Sequence, residues 1–115
     1  MRNALLIGVL IFSGCASPTL TRSIDYSNIT ITSIAETVRE ECGNTVPDGD
    51  CLPTSLITTD EKNGIKADLL RAAETLDLAE IARIRGDADT AANRIDAARL
   101  LLSQVRQYLE ERGVE

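Results

Sequence analysis

At 115 residues the chain has room for one domain, and its net charge of −6 comes with no His and no Trp. That balance excludes an electrostatic binder of nucleic acid, which needs a basic footprint to displace counterions from phosphates. It also excludes imidazole chemistry and base-stacking platforms, since the aromatic residues are Phe12, Tyr26 and Tyr108. The apolar content is carried by Ala, Leu, Ile and Val, which suits helix-on-helix packing. A core this small gains from a covalent staple.

Behind Met1-Arg2-Asn3, the residues from Ala4 to Phe12 form an uninterrupted apolar run. As a helix at about 1.5 Å per residue it is about 14 Å long, half the roughly 30 Å hydrocarbon core of a bilayer. It is too short to span a membrane but suits the apolar segment of a secretory signal, which needs about 7–15 residues. Phe12-Ser13-Gly14-Cys15 then resembles the lipobox of bacterial lipoprotein precursors, with Phe12 in the position usually held by Leu. The small residues let the chain lie extended in a protease cleft, and the Cys supplies a thiol for a thioether to diacylglycerol.

This resemblance implies removal of residues 1–14, lipid attachment at Cys15, and a mature protein held on a bacterial membrane outside the cytoplasm. At about 0.8 kcal/mol per buried CH₂, one acyl chain binds marginally while two or three anchor firmly. Ala16 follows the Cys where an Asp would signal inner-membrane retention, so the periplasmic side of the outer membrane is favoured. Losing Arg2 with the signal makes the mature chain more acidic. The lipid, rather than surface charge, is then what holds it to the membrane.

The stretch from Ala16 to Asn28 is rich in Ser, Thr and Pro and predicts a lipidated flexible tether over 15–28. Ile29-Thr30-Ile31-Thr32 alternates like a strand, yet Ile31, Ile34, Ala35, Val38 and Cys42 fall at helical spacing. The longer pattern predicts a helix over about 28–42. Asn28-Ile29-Thr30 matches a glycosylation sequon, which carries little weight in a bacterial lipoprotein.

Cys42 and Cys51 flank a loop with the turn signal Pro47-Asp48-Gly49, in which Pro presets φ and Gly accepts positive φ. After export, two thiols at this spacing predict a disulfide. Zinc would need further Cys or His, a redox pair would be C-x-x-C, and Asp48, Asp50 and Asn44 do not fit an EF-hand register.

Thr58 precedes Glu61 by three residues, a capping box, and Asp60 adds negative charge where a helix N-terminus favours it. Ile65, Leu69, Ala72, Ala73, Leu76 and Ala79 then make one apolar stripe. Leu70, Leu78, Ile81, Ala82 and Ile84 are read as widening it. The predicted helix over about 59–85 stops at Gly86. Asp87 caps the next helix, over about 88–112, whose Ala88, Ala91, Ile95, Ala98, Leu102, Val105 and Leu109 alternate steps of three and four as a heptad seam. Leu100 and Leu101 are read as extending that face, and Gly113 ends the run.

From Leu78 to Leu101 the pattern resembles a tetratricopeptide-type hairpin, carried by Leu78, Ala79, Gly86-Asp87, Ala91, Ile95 and Ala98, with Ala82 in place of the usual large aromatic. The resemblance implies a tight helical hairpin. A peptide-binding array would need about three such units. Arg85-Gly86-Asp87 is accounted for by its helix-stop and helix-start roles. Glu74, Asp77 and Glu80, with Arg71, Arg83, Arg94 and Arg99, read as a solvated charged face. Asp96–Arg99 and Arg106–Glu110 read as ordinary helix pairs. Ser103 has no His to activate it.

The expected fold is all-α: a small three-helix bundle dominated by a long antiparallel hairpin, with a disulfide-closed loop, in a helical domain over 29–115. The expected function is that of a lipid-anchored, non-enzymatic module that binds another envelope protein. Small helical lipoproteins of phage and plasmids, which act in lysis or entry exclusion, are similar in outline and give the alternative; an accessory to cell-wall enzymes is a third. No catalytic residue, metal, cofactor or small-molecule substrate is predicted.

Overall fold

The computed structural model describes residues 3–43 and 49–114, with side chains from Thr19 onward. The turn residues Pro47 and Asp48 and the side chains of the Phe12–Cys15 box lie outside the described residues. Three helices make up the fold: α1 (Asn3–Cys42), α2 (Thr59–Ile84) and α3 (Ala88–Glu111). They form a rod 69 × 23 × 19 Å. Helices α2 and α3 are an antiparallel hairpin, and α1 packs on both, antiparallel to α2 and parallel to α3. Among the described residues no helix is long and apolar enough to cross a membrane.

Each hairpin helix begins and ends where its local chemistry dictates. At the start of α2 the Thr58 hydroxyl accepts from the Glu61 amide at 3.0 Å, and the Glu61 carboxylate accepts from the Thr58 amide at 2.9 Å. Its C-terminus closes through Gly86 at φ +82°, with Asp87 N–H donating to the Ala82 carbonyl at 2.9 Å and Gly86 N–H to that of Arg83 at 3.0 Å. That paired closure satisfies carbonyls that have no partner within the helix. Asp87 then caps α3 by accepting from the Thr90 amide at 3.1 Å. The same C-terminal closure recurs at Gly113, where Val114 N–H reaches the Leu109 carbonyl at 2.9 Å and the Val114 side chain is buried.

The core is one continuous seam. Ile65, Leu69, Ala72, Leu76 and Ala79 of α2 meet Ala91, Ile95, Ala98, Leu102, Val105 and Leu109 of α3, all buried. Ala72, Ala79, Ala91 and Ala98 are fully buried, so the backbones approach closely where small residues face each other. Ile24, Ile34 and Val38 of α1 complete the cluster, with Leu20 and Ile31 packed against it.

The sequence-based expectation of a flexible tether over 15–28 is corrected by α1, which is helical through that stretch. Leu20, Ile24, Ser27, Ile31, Ile34 and Val38 step by four and three, a heptad seam in which buried Ser27 takes an apolar position. Thr30, Thr32 and Thr37 each donate their hydroxyl to the carbonyl four residues back, at 3.0, 3.2 and 3.0 Å. Thr has poor helix propensity, but packing of an apolar face outweighs propensity in deciding whether a helix forms. The predicted widening holds for Ala82, which is buried, and for Leu101 of α3, which packs against the core, but is corrected for the larger residues of α2. Leu70, Leu78, Ile81 and Ile84 are exposed, as is Leu100 of α3, because one face of each helix suffices for two neighbours.

Candidate interaction surface

The end of the rod where α1 finishes, α2 begins and α3 finishes is covered by the segment 49–58. Cys42 is bonded to Cys51, with Cα atoms 4.4 Å apart, and Cys42 is 1% exposed. Around that bond the loop is stitched to α1 and to α2. Leu52 N–H donates to the Cys42 carbonyl at 2.9 Å, Cys51 N–H to the Thr59 hydroxyl at 2.9 Å, and Leu56 N–H to the Glu41 carboxylate at 2.7 Å. The buried Lys62 ammonium donates to the Gly49 carbonyl. Ile57, 2% exposed, plugs the core from above.

What this ordered cap leaves facing outward is apolar. Leu52 and Leu56 are half exposed, with Pro53 beside them. Each leucine rests on a helix-ending glycine. A Cβ at Gly43 would collide with the Leu52 side chain, and a Cβ at Gly113 would sit 3.8 Å from Leu56 Cδ1. Gly43 and Gly113 both have positive φ, and at Gly43 the lack of a side chain serves the turn and the leucine contact together. Glu40, Asp50, Asp60 and Glu111 are exposed at the same end and give it an acidic rim.

One polar cluster ties α2 to α3 beneath this cap. The Tyr108 hydroxyl donates to the Glu61 carboxylate. Arg112 reaches the same carboxylate oxygen at 2.6 Å and the Tyr108 hydroxyl at 3.0 Å, with its guanidinium 5.0 Å from the Tyr108 ring centre. The Tyr108 hydrogen bond, the Thr58 amide and the Arg112 charge together hold the Glu61 carboxyl below its ordinary range, against the opposing effect of desolvation. Arg112 is held correspondingly above its ordinary value by Tyr108 and Glu61.

The remaining sequence candidates are placed as follows. Cys15 lies outside the described side chains. Of the carboxylates on the α2 face, Glu80 is held by Arg83 through two hydrogen bonds of 2.9 and 2.6 Å. Glu74 and Asp77 are exposed. Ser103 lies in a shallow polar groove between α1 and α3, beside Ser27, Thr30, Arg99 and Arg106. Among the described residues no group of three or more His, Cys, Asp or Glu side chains could hold a metal ion.

Sequence reasoning found the disulfide and the cap at Thr58, but not the bolt made by Glu61, Tyr108 and Arg112, because Glu61 lies far along the chain from the other two and no local signature marks the pairing. No known family matches the chain, and no curated protein or solved structure is similar to it.

Proposed function

We propose that the chain is a lipoprotein precursor, processed and acylated at Cys15, whose helical body stands on the outer membrane and presents its disulfide-capped end to another envelope protein. The observation that carries this reading is the Cys42–Cys51 bond. Disulfides persist in oxidising spaces outside the cytoplasm, and the apolar run ending in Phe12-Ser13-Gly14-Cys15 supplies a route there. The role is binding rather than turnover, supported by a disulfide-capped end that turns two half-exposed leucines outward. An apolar patch inside an acidic rim suits a partner with an apolar recess edged by Lys or Arg, since charge complementarity steers and registers such contacts.

The test is metabolic labelling with a radiolabelled fatty acid in a bacterial host, comparing the native chain with Cys15→Ser. Label on the native chain alone, together with loss of residues 1–14, supports the reading. An unlabelled native chain that keeps those residues and stays in the cytosol overturns it.

A further inference from the structure

The register of α1 against α3 fixes which end of the rod faces an anchoring membrane. Ser27 and Leu102 line one stretch of the α1–α3 groove, and Ile34 and Leu109 line the next. Both pairs have the same offset, so the two helices run in parallel at constant register. Counted down α1, which is helical from Asn3, that register sets the backbone of residue 15 at the height of Thr90 along the rod axis. The hairpin turn at Gly86 then lies about 6 Å beyond Cys15, at about 1.5 Å per residue. A rod anchored at Cys15 therefore cannot hold its hairpin turn clear of the bilayer while α1 stays helical.

That end of α2 has a surface suited to the encounter. Ile84 is 68% exposed, Ile81 44% and Leu78 46%, a cluster of apolar side chains on its last two turns. Arg85 is exposed beside them. The Asp87 carboxylate at the turn is engaged by the Thr90 amide and hydroxyl. Apolar side chains bordered by Arg85 and by the exposed Asp87 and Asp89 suit zwitterionic headgroups above the acyl chains.

We infer that in the anchored protein the turn Arg85-Gly86-Asp87 and the apolar edge formed by Ile81 and Ile84 lie against phospholipid headgroups, so that the rod stands with its disulfide cap pointing away. This placement rests on the proposed acylation of Cys15. The cap then sits roughly 40 Å from the lipid, the length of α2 at 1.5 Å per residue.

The chain has no Trp, so one introduced indole is an unambiguous reporter. The processed, lipidated protein carrying Ile84→Trp or Leu56→Trp is reconstituted into phosphatidylcholine vesicles brominated high on their acyl chains. The expected result is that Ile84→Trp loses most of its emission and shifts to shorter wavelength, while Leu56→Trp keeps both. Ile81→Trp is the second reporter should circular dichroism show that Ile84→Trp has lost helix. Vesicle-bound protein in which the Ile84 and Ile81 reporters stay unquenched overturns the placement while leaving the anchor intact. Equal quenching of Leu56→Trp also overturns it, since the rod would then lie flat. Protein that fails to float with the vesicles overturns the anchor, and the placement with it.

Discussion

The hydroxyl of Tyr108 donates to the carboxylate of Glu61, joining the last turns of α3 to the first turn of α2. Glu61 uses its other oxygen to close the capping box with Thr58, so one side chain both starts a helix and fastens it to its neighbour. The carboxyl pKa is lowered from its ordinary value of 4.5, and the hydroxyl is the leading cause. A carboxylate with a folded pKa below its unfolded one stabilises the fold fully above the unfolded value, and that contribution fades as pH falls through the folded one. The native chain should therefore lose stability as pH drops below 4.5, and Glu61→Gln should flatten that part of the profile. Urea midpoints measured across pH check this.

Tyr108→Phe keeps the ring under Arg112 and removes only the hydroxyl. The Glu61 carboxyl should move back up toward its ordinary value while remaining below it, because Thr58 and Arg112 still act on it. A carboxyl carbon NMR titration of Glu61 reads this directly.

The Cys42–Cys51 bond closes a loop with a sequence separation of 9. In the chain-entropy description such a closure contributes about 2.5–3 kcal/mol. Cys51→Ser paired with Cys42→Ala should cost about that much, read as a lower urea midpoint, with helix content retained because α2 and α3 carry their own caps.

Leu76 and Leu70 sit on one helix and differ in burial, 1% against 58% exposed. Leu76→Ala should cost about 2–5 kcal/mol through lost transfer energy and a cavity. Leu70→Ala should stay within about 0.5 kcal/mol. Denaturation of the two variants in parallel is the check.

Gly86 and Gly43 both hold positive φ, but a Cβ meets nothing within 4 Å at Gly86 and runs into Leu52 at Gly43. Gly86→Ala should cost about 1–2 kcal/mol, the left-handed penalty alone. Gly43→Ala should cost more, and combining it with Leu52→Ala should recover part of the excess. A thermal-denaturation cycle over the three variants tests the coupling.

Much of α2 and α3 was legible because their signals are local. Thr58 and Glu61, Gly86 and Asp87, and the stepping of Ile95 through Leu109 each act within a few residues. The stretch from Ala16 to Asn28 was not legible, because its Ser, Thr and Pro content describes a free chain while its helical state depends on the hairpin it lies against. Ser27 hid the seam further by placing a hydroxyl where an apolar residue would have marked the period. Leu78, Ile81 and Ile84 misled in the opposite direction, since spacing records which residues share a face but not whether anything covers it. For the cap, the bonding of Cys42 to Cys51 could be read, whereas the lie of Leu52 depends on the missing side chain of Gly43 at the end of α1.

The unbroken course of α1 has a mechanical consequence. One helix carries the chain from its N-terminal side to Cys42, and the covalent bond there grips the loop above. A pull applied to that loop loads α1 along its axis, so its packing on α2 and α3 resists by lengthwise sliding instead of by peeling turn by turn. Force applied at the capped end is thus carried along α1 with little slack, as by a strut.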